Sequence, residues 1–579
     1  MKPTGPVFLA QGASTMLLVA FVLGGSTGCE TVPGYGGASF ACGAIAPCAE
    51  GFVCDSKTTL CVPTAGPCTG DKDCALDEVC GATNLCEQLV EDLQCGTVLG
   101  SQKEDALRLG FMMTLSGPFA ESGLEQRKVL ELALSEINGN GGIQGLQGQR
   151  ELAFVVCDTK GEEEYTLASA HYLDQLGIPA ILGPGFSSLL EPAAREVAIP
   201  KGIFMVSPSS TAVDIRDLDD NDLIWRISSS DTEQANTLAY FAFWLALEPI
   251  HDGDPASIRV TGVHTDDNYG YGFREGFAAA LQVLSFSGAA DVDVQFHAVP
   301  HPSKGEADDW DAEVKDVIDA LKEEEPHIVL FVGYEDTADI LSQMKVEPTL
   351  NTLPVLLTDG VSSKALATTY QPEDVKPEHI FGVQPGFRTG AAYEHFKALY
   401  ATTSVGETVP PAWTEYTYDG VYLLAYAAAG IEPEAISGAA FAEAFKRFDE
   451  PDGRIVNVGP DHLLVACQDM GTGLGIDVRG ASGPLDFDLE TGEPMSVGIL
   501  RWTVDFPNPE EPGQLADCGL AMVHDANASG PQTYWCGARC LAPPSDNAPC
   551  EAGYCSEEGA ACANDVCTGG DDCKPEHAP

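Results

Sequence analysis

Basic residues are scarce in this sequence. It contains 30 lysines and arginines against 87 aspartates and glutamates, which gives a formal net charge of −57. Nucleic acids and anionic membrane surfaces are bound by basic protein faces, so neither is an expected partner. The acidic excess predicts a heavily solvated acidic surface instead.

Long hydrophobic runs are also missing. The apolar run at residues 16–25 (MLLVAFVLGG) has ten residues and follows Lys2. A run of this length is too short to span a bilayer, but it is typical of a secretory signal peptide. We therefore expect residues 1–28 to be a signal peptide and the protein to be exported.

The signal-like segment ends in Ser26-Thr27-Gly28-Cys29, which resembles a bacterial lipobox. The resemblance implies cleavage before Cys29, lipidation of that cysteine and a linker at residues 29–41, which would anchor the protein in the periplasm or at the cell surface. Ser26 stands where lipoboxes usually have leucine. The alternative is a soluble exported protein in which Cys29 forms a disulfide.

Cysteine is nearly absent from the middle of the chain. Of 20 cysteines, only Cys157 and Cys467 lie between residues 96 and 517, while nine lie within residues 42–95 and eight within residues 518–573. The flanks are therefore expected to be cysteine-rich modules at residues 42–95 and an acidic cysteine-rich tail at residues 518–579. Such a distribution is typical of an exported protein.

The first cysteine cluster contains a repeat of about twenty residues with four cysteines in each copy. Modules this small cannot bury a hydrophobic core, so disulfides are expected to hold them. Four cysteines allow three pairings, and the sequence does not choose among them. Zinc is the alternative, but its ligands usually come in pairs two to four residues apart. The cysteines expected to be disulfide-bonded are Cys42, Cys48, Cys54, Cys61, Cys68, Cys74, Cys80, Cys86, Cys550, Cys555, Cys562, Cys567 and Cys573.

Residues 106–506 show a different pattern, in which apolar strands alternate with amphipathic helices. The alternation predicts an α/β fold with parallel sheets covered on both faces. About 400 residues of this pattern exceed one doubly wound domain and suit two. The predicted strands are 107–113, 152–156, 180–182, 202–206, 259–263, 292–299, 327–332 and 353–357. The predicted helices are 124–137, 167–176, 189–198, 272–284, 310–322 and 337–344.

Hydroxyl side chains follow several of the predicted strands. The loops at residues 114–119 (TLSGPF), 183–188 (GPGFSS) and 207–211 (SPSST) come after the first, third and fourth strands. Ligands of parallel sheets bind beyond the carboxyl ends of the strands, so these loops are expected at one binding edge. The helix start after GPGFSS would also offer unpaired N–H groups to an anion.

Eight segments in order resemble the type I periplasmic binding proteins of the leucine/isoleucine/valine-binding family. They are LRLGFMMTLSGPFAESG, ALSEINGNGGIQG, AILGPGFSS, GIFMVSPSSTA, WRISSSDTEQA, VHTDDNYGYGF, LLTDGVSS and GPLDFDLETGEP. The resemblance implies two doubly wound lobes joined by three crossovers, near Ile227, Pro385 and Gly483, with the ligand between the lobes. Lobe 1 would comprise residues 106–227 and 385–482, and lobe 2 residues 228–384 with a return segment at 483–506.

The resemblance also implies an amino acid site. Ser187, Ser209 and Thr211 would bind the α-carboxylate, and Asp359 from lobe 2 would bind the ammonium group, although many family members have glutamate there. The alternative is that Ser187 only caps its helix and that the other three only shape turns.

Three further positions follow from the resemblance. Tyr269 and Tyr334 either close over the ligand or serve in packing. Ser122 stands where the family often has an aromatic lid residue, which indicates a larger or more polar ligand than leucine. The position that pairs with Cys157 in some members is Phe186 here, so that disulfide cannot form.

Motifs of other chemistries are lacking. GPGFSS lacks the lysine of a phosphate loop, and HExxH is absent, as is GxSxG outside the signal. His297 and His301 are expected in a loop because Pro300 and Pro302 flank His301, and residues 214–223 lack the glycine and terminal glutamate of a calcium loop. We therefore expect no enzyme activity, no cofactor and no metal.

The expected function is an extracytoplasmic solute-binding lipoprotein that delivers an amino acid or similar small polar solute to an ABC permease. One alternative is a ligand-sensing receptor domain of the same fold, which the cysteine-rich flanks slightly favour. A second alternative is a surface interaction protein with vestigial binding lobes.

Overall fold

The computed structural model describes most of residues 68–535 and four short strands outside that range. The undescribed residues within it are 71–72, 77, 82–83, 147, 248–256, 287–292, 371–378, 404–409, 449, 451–452, 506–512 and 526–531. The predicted signal peptide, linker and lipidated Cys29 lie outside the described residues, as do Cys42, Cys48, Cys550, Cys555 and Cys573.

The cysteine repeats form small hairpins. Strands β1 (Phe52–Cys54) and β2 (Cys61–Pro63) pair antiparallel, as do β3 (Glu78–Cys80) and β4 (Cys86–Gln88). In the second repeat, disulfides join Cys68 to Cys80 and Cys74 to Cys86. The disulfide prediction is confirmed for these four cysteines, and the zinc alternative is wrong for this repeat because its thiols are all oxidised.

The first sheet belongs to lobe 1. Its strand order is β12-β11-β10-β6-β9-β5, parallel throughout except for β5. Every residue of β9 is buried, because helices cover both faces of the sheet. The strands are β5 (Cys95–Gly100), β6 (Leu107–Met113), β9 (Leu152–Asp158), β10 (Ala180–Leu182), β11 (Phe204–Ser207) and β12 (Ile224–Arg226), with a hairpin of β7 (Ile143–Gly145) and β8 (Gly148–Arg150). The helices are α1 (Ala120–Gly139), α2 (Glu163–Gln175), α3 (Ser187–Ala193), which continues as a π-helix at Ala194–Ala198, and α4 (Ile199–Lys201).

Strand β5 lies before residue 106, where lobe 1 was expected to begin. It pairs antiparallel with β9, and a disulfide joins Cys95 to Cys157. The expectation that Cys157 lacks a disulfide partner, drawn from Phe186, is therefore wrong, because Cys157 is bonded to Cys95. Cys95, the last cysteine of the N-terminal cluster, thus joins β5 to β9 within the lobe 1 sheet.

The second sheet belongs to lobe 2 and has eight strands, of which the last three in chain order are β22 (Val497–Asp505), β23 (Gln514–Asp525) and β24 (Gln532–Trp535). Its strand order is β14-β13-β15-β16-β17-β22-β23-β24. Neighbours from β14 to β17 are parallel, and the last three strands are antiparallel. The first five strands in chain order are β13 (Ser257–Thr265), β14 (Asp293–His301), β15 (Ile328–Val332), β16 (Val355–Leu357) and β17 (Ile380–Pro385). The helices are α5 (Asp231–Leu247), α6 (Asn268–Phe286), α7 (Trp310–Glu324), α8 (Thr337–Val346) and α9 (Lys364–Thr369).

The loop predicted around His297 and His301 is wrong, because both residues lie in β14. Among the strands that the structure describes, β14 pairs only with β13 and so lies at an edge of the sheet. An edge strand tolerates Pro300, whose missing N–H would break a ladder in the sheet centre.

The chain returns to lobe 1 for its central helix. All sixteen residues of α11 are buried, and the helix packs against α1 and α13 within the main hydrophobic core. The elements of this part are α10 (Gly390–Ala401), α11 (Thr414–Ala429), α12 (Gly438–Phe445), α13 (Pro460–Gly471), β18 (Arg454–Asn457) and β19 (Ile476–Arg479).

The last described elements return to lobe 2 and extend its sheet. They are the hairpin β20 (Phe487–Asp488) and β21 (Glu493–Pro494), then β22 (Val497–Asp505), β23 (Gln514–Asp525) and β24 (Gln532–Trp535), followed by the tail hairpin β25 (Ala560–Ala563) and β26 (Val566–Gly569). Cys518 is buried in β23, so the beginning of the predicted cysteine-rich tail is part of the lobe 2 sheet. Among the described residues, no helix is both long and hydrophobic enough to cross a membrane.

Candidate functional site

One cavity between the two lobes collects all seven of the predicted ligand-binding residues. A water-sized sphere has about 40 Å³ of space in it, so the cavity is narrow. The predicted residues that line it are Ser122, Ser187, Ser209, Thr211, Tyr269, Tyr334 and Asp359. Thr114, Gly185 and Phe186, from two of the loops expected at the binding edge, also line it. The remaining lining residues, which were not predicted, are Met113, Gly123, Gln126, Gly360 and Trp413.

Ser187 is the first residue of α3 and is buried in the lobe 1 wall. Its Oγ accepts hydrogen bonds from the backbone N–H groups of Thr211 and Ala212, both at 3.1 Å. Ser187 therefore does not cap its own helix but holds the loop after β11 against the loop after β10. Its hydroxyl proton has no acceptor among the described residues, so it can be donated to a ligand.

The loop after β11 is fixed by further hydroxyl contacts. Ser207 and Ser210 donate to the carbonyl of Pro184, at 2.6 and 3.2 Å, and Ser209 donates to the carbonyl of Gly185 at 3.1 Å. These bonds hold the lobe 1 wall rigid. The hydroxyl proton of Ser209 is already used within lobe 1, which makes it a poorer donor to a ligand than Ser187.

Asp359 lies across the cavity in the lobe 2 wall. It follows β16 and is buried, and its Oδ1 accepts a hydrogen bond from Tyr269 Oη at 2.7 Å. Tyr269 comes from the first turn of α6 and also contacts Thr358 Oγ1 at 2.8 Å. Burial raises the pKa of Asp359 to about 6, although bonds from Tyr269 and Gln234 oppose that rise.

Asp231 is a functional candidate that the sequence analysis missed. It begins α5, is fully buried, and lies close enough to Asp359 that the two negative charges disfavour each other. Burial, and then the Asp359 charge, raise the pKa of Asp231 well above its usual value. Its Oδ2 has no hydrogen-bond partner in the described part of the chain. The polar run at residues 228–231, directly after β12, was the available sequence signal.

The two carboxyl groups have little compensating charge. The positive charge of Arg226 acts on Asp231, but the Arg226 guanidinium is buried and paired with Glu493. A buried carboxylate pair without a counter-ion is unfavourable unless a proton or a cation joins it. An ammonium group in the cavity would supply that missing charge.

Aromatic rings close the mouth of the cavity. Phe119 and Phe186 come from lobe 1, and Tyr269 and Tyr334 from lobe 2. The ring centroid of Tyr334 lies 5.8 Å from Phe119, 4.9 Å from Phe186 and 5.5 Å from Tyr269. Tyr334 Oη also donates to Asp267 Oδ2 at 2.7 Å, which fixes its ring across the opening.

The lobes also contact each other through helix termini. The α1 helix has no side-chain cap of its own, and Glu335 of lobe 2 accepts from the Ser122 backbone N–H at 3.1 Å. In return, Glu121 of α1 accepts from the backbone N–H of Lys364, the first residue of α9, at 2.8 Å. Burial raises the pKa of Glu335 to about 7. Each lobe thus supplies a carboxylate to a helix start of the other.

A wider groove of about 540 Å³ lies outside the aromatic rings. Its rim carries one arginine, Arg195, against several carboxylates. These acidic rim residues are Glu162, Glu163, Glu191, Glu196, Asp267 and Glu306. The groove therefore repels an anion that approaches the inner cavity.

Comparison with known proteins agrees with this architecture. A family model described as periplasmic binding protein matches residues 106–472, more than half of the chain. A Leu/Ile/Val-binding protein homologue from Brucella melitensis is 25% identical over 259 residues, which are 44% of this chain and 62% of that protein. The Leu/Ile/Val-binding protein of Escherichia coli K12 is 28% identical over 240 residues, 41% of this chain and 58% of that protein. The matches thus span about three fifths of these relatives.

Solved structures show the same fold at low sequence identity. The branched-chain amino acid transporter substrate binding protein LivJ from Streptococcus pneumoniae, in complex with isoleucine, has a TM-score of 0.52 at 18% identity and covers 71% of this chain and 99% of its own. The leucine binding protein LivK from Thermotoga maritima also has a TM-score of 0.52 at 18% identity, with coverages of 72% and 98%. The chain therefore belongs to the periplasmic binding protein family, which consists of binding proteins rather than enzymes, and is a type I member of the leucine/isoleucine/valine-binding kind.

Proposed function

We propose that the protein captures a zwitterionic amino acid, or a similar small polar solute, in the cavity between its lobes. The main observation behind this proposal is that the two lobes present chemically different groups on opposite sides of the cavity. Lobe 1 offers hydroxyl groups held by its own backbone, and lobe 2 offers buried carboxyl groups without a counter-charge. The amino acid ligands named for the similar proteins support the same class of ligand.

The carboxylate of the ligand would lie against lobe 1. Ser187 has a hydroxyl proton to donate, and the loop bearing Ser209 and Thr211 is held beside it. Hydroxyl dipoles bind a carboxylate without an opposing charge, so binding is firm but reversible.

The ammonium group would lie against lobe 2, where Asp359 lines the cavity as its partner, Tyr269 orients Asp359, and the buried Asp231 behind it adds negative charge. Contacts to both walls form together only when the lobes are closed. A ligand with both charges would therefore shift the population toward the closed form.

Export and lipid anchoring at Cys29 belong to the same proposal. They are supported by the signal-like segment, the lipobox-like end and the oxidised cysteines of the second repeat. The variant Cys29→Ala should be released from membranes in detergent-free buffer, whereas retention of the variant would refute the anchor.

The repeat pattern also supports specific disulfides in the flanks. In the second repeat, each disulfide joins cysteines separated by 12 residues, and Cys80 faces Cys86 across the hairpin. Cys54 faces Cys61, and Cys562 faces Cys567, in the same way. We therefore expect pairs at Cys42–Cys54, Cys48–Cys61, Cys550–Cys562 and Cys555–Cys567. Peptide mapping of unreduced protein by mass spectrometry would reveal these pairs, and other pairings would contradict the repeat.

Delivery to an ABC permease is the proposed biological role, as for the transport proteins of the same fold. A sensing receptor is the second candidate, and one observation favours it. The second cysteine repeat and its linker are held on α2, where Gln175 Nε2 donates to the carbonyl of Glu78 and Tyr165 Oη donates to the carbonyl of Glu91. A module fixed to a binding lobe could pass ligand-dependent motion to a partner.

The experiment that tests the proposed function is a thermal-shift screen of the full exported chain against amino acids and small carboxylates. A ligand that binds only the folded protein raises its melting temperature. A zwitterionic compound that stabilises the wild type but not Asp359→Ala would support the proposal. The absence of any stabilising compound would favour vestigial lobes.

A further inference from the structure

We infer that the ligand is an amino acid with a neutral, hydrogen-bonding side chain, such as serine, threonine, asparagine or glutamine. The inference rests on the proposed function, because it concerns the wall left after the carboxylate and ammonium contacts are assigned. That remaining wall consists of Ser122, Gly123 and Gln126 on α1, with Met113, Thr114 and Trp413.

Gln126 is the central polar group of this wall and is only 3% exposed. Its Nε2 donates to Ser122 Oγ at 3.1 Å, and its Oε1 accepts from Thr417 Oγ1 at 2.9 Å. Thr417 lies on the buried helix α11, so its hydrogen bond holds the Gln126 amide group against the lobe 1 core.

Two protons of this hydrogen-bond chain are left over. The Gln126 amide has two N–H groups and uses one on Ser122, while the Ser122 hydroxyl accepts that bond and keeps its own proton. Neither remaining proton has an acceptor in the described part of the structure. Since both side chains line the cavity, a ligand carbonyl or hydroxyl oxygen is the complementary partner.

A branched aliphatic side chain would fit this wall poorly. It would desolvate both donors without giving them an acceptor, and each unsatisfied buried donor costs roughly 5- to 100-fold in affinity. A site built to hydrogen-bond its substrate rejects an analogue that lacks the polar group. Met113 and Trp413, both buried, are the large apolar side chains of this wall and would pack against the aliphatic stem of the ligand.

Charged side chains are disfavoured for separate reasons. An anionic ligand would have to pass the acidic outer groove and enter a cavity beside the carboxyl groups of Asp231 and Asp359. A cationic side chain would find donors on the α1 wall, because Asp359 is the sole carboxylate among the described lining residues and is assigned to the ammonium group. The ligand side chains that remain compatible with this wall are neutral and polar.

Calorimetric titration of the full chain with the twenty amino acids tests the inference. At least one of serine, threonine, asparagine and glutamine should bind ten times or more tightly than leucine, isoleucine or valine. If a branched-chain amino acid binds more tightly than all four, the inference is wrong while the proposed function stands. If no amino acid binds, the inference and the amino acid part of the proposed function both fail.

Variants of the α1 wall sharpen the test. Gln126→Leu should weaken the polar ligand by roughly 10- to 100-fold and leave leucine unchanged or stronger. Ser122→Ala, at a less buried position, should weaken the polar ligand several-fold and serves if Gln126→Leu does not fold. Glu131→Gln, on the exposed face of α1, is the matched control and should change nothing. Equal losses for polar and apolar ligands in both wall variants would overturn the inference.

Discussion

The two walls of the cavity are built in opposite ways. In lobe 1 the hydroxyl groups of Ser187 and Ser209 bond the backbone of neighbouring loops, so the wall is complete without a ligand. In lobe 2 the carboxyl groups of Asp359 and Asp231 are buried close together with raised pKa values. The first wall is preorganised, whereas the second remains unsatisfied until a cation or protons arrive. Contacts with the ligand should therefore stabilise the lobe 2 wall more than the lobe 1 wall.

The largest expected effect comes from the lobe 2 wall. Asp359→Ala removes the carboxylate that would face the ammonium group, and truncating one member of a buried, hydrogen-bonded charge pair costs about 2–5 kcal/mol, roughly 30- to several thousand-fold in affinity. Calorimetry with a ligand from the screen measures this loss. The exposed Asp316→Asn on α7 is the control and should bind like the wild type. A loss below threefold for Asp359→Ala would contradict the assigned role.

The lobe 1 wall should be less sensitive to a single change. Ser187→Ala removes one donor to the carboxylate and the anchor of two backbone N–H groups, for a loss of about 1–3 kcal/mol. The N–H groups of Thr211 and Ala212 remain and can bond the ligand directly. If Ser187→Ala costs more than Asp359→Ala in the same titration, the ranking of the two walls is reversed.

The dependence of ligand affinity on pH should come from the lobe 2 wall, because that wall contains the carboxyl group of Asp359. Because burial raises the pKa of Asp359 to about 6, the free protein is protonated there below pH 6 and must lose that proton to pair with an ammonium group. Affinity should therefore fall as the pH is lowered from 7 to 5, by up to about tenfold per pH unit for one proton. Asp359→Asn should remove most of that slope, and an unchanged slope in this variant would assign it to another group.

The folding stability of the ligand-free protein should depend on pH in the opposite way to ligand affinity. A carboxyl group with a raised pKa binds its proton more tightly in the folded than in the unfolded state, so its contribution is present at low pH and lost as pH rises through about 4 to 6. Asp359→Asn should therefore stabilise the ligand-free protein more at pH 7.5 than at pH 5. Chemical denaturation at both pH values measures this difference, and a larger gain at pH 5 would contradict the sign.

The smallest expected effect concerns the contacts between helix termini. Glu335→Gln keeps an acceptor for the Ser122 N–H and removes the charge of a half-buried carboxyl group whose pKa is about 7. Ligand affinity should rise two- to fivefold at pH 8 and stay unchanged near pH 6, an effect of roughly 0.4–1 kcal/mol. Exposed Glu323→Gln is the control. Weaker binding of Glu335→Gln at pH 8 would show that the ionised cap favours closure.

Much of the fold and of both walls followed from the sequence, because local patterns carry them. Alternating strands and helices placed the hydroxyl loops at one sheet edge, and the structure brings the seven predicted residues into one cavity. Asp231 and Gln126 were missed because each is buried only through contacts with distant segments. Strands β5 and β23 were missed because they pair antiparallel at positions far along the chain, inside segments dominated by cysteine or expected to be tail.

The central claim is that lobe 2 recognises the ammonium group through Asp359. It is tested most directly by titrating the wild type and Asp359→Asn with the bound amino acid and with its analogue that lacks the amino group. In the wild type, loss of the amino group should weaken binding by at least about 30-fold, while Asp359→Asn should bind both compounds within about threefold, a coupling of roughly 1.4 kcal/mol or more. Equal discrimination by the two proteins would contradict the account.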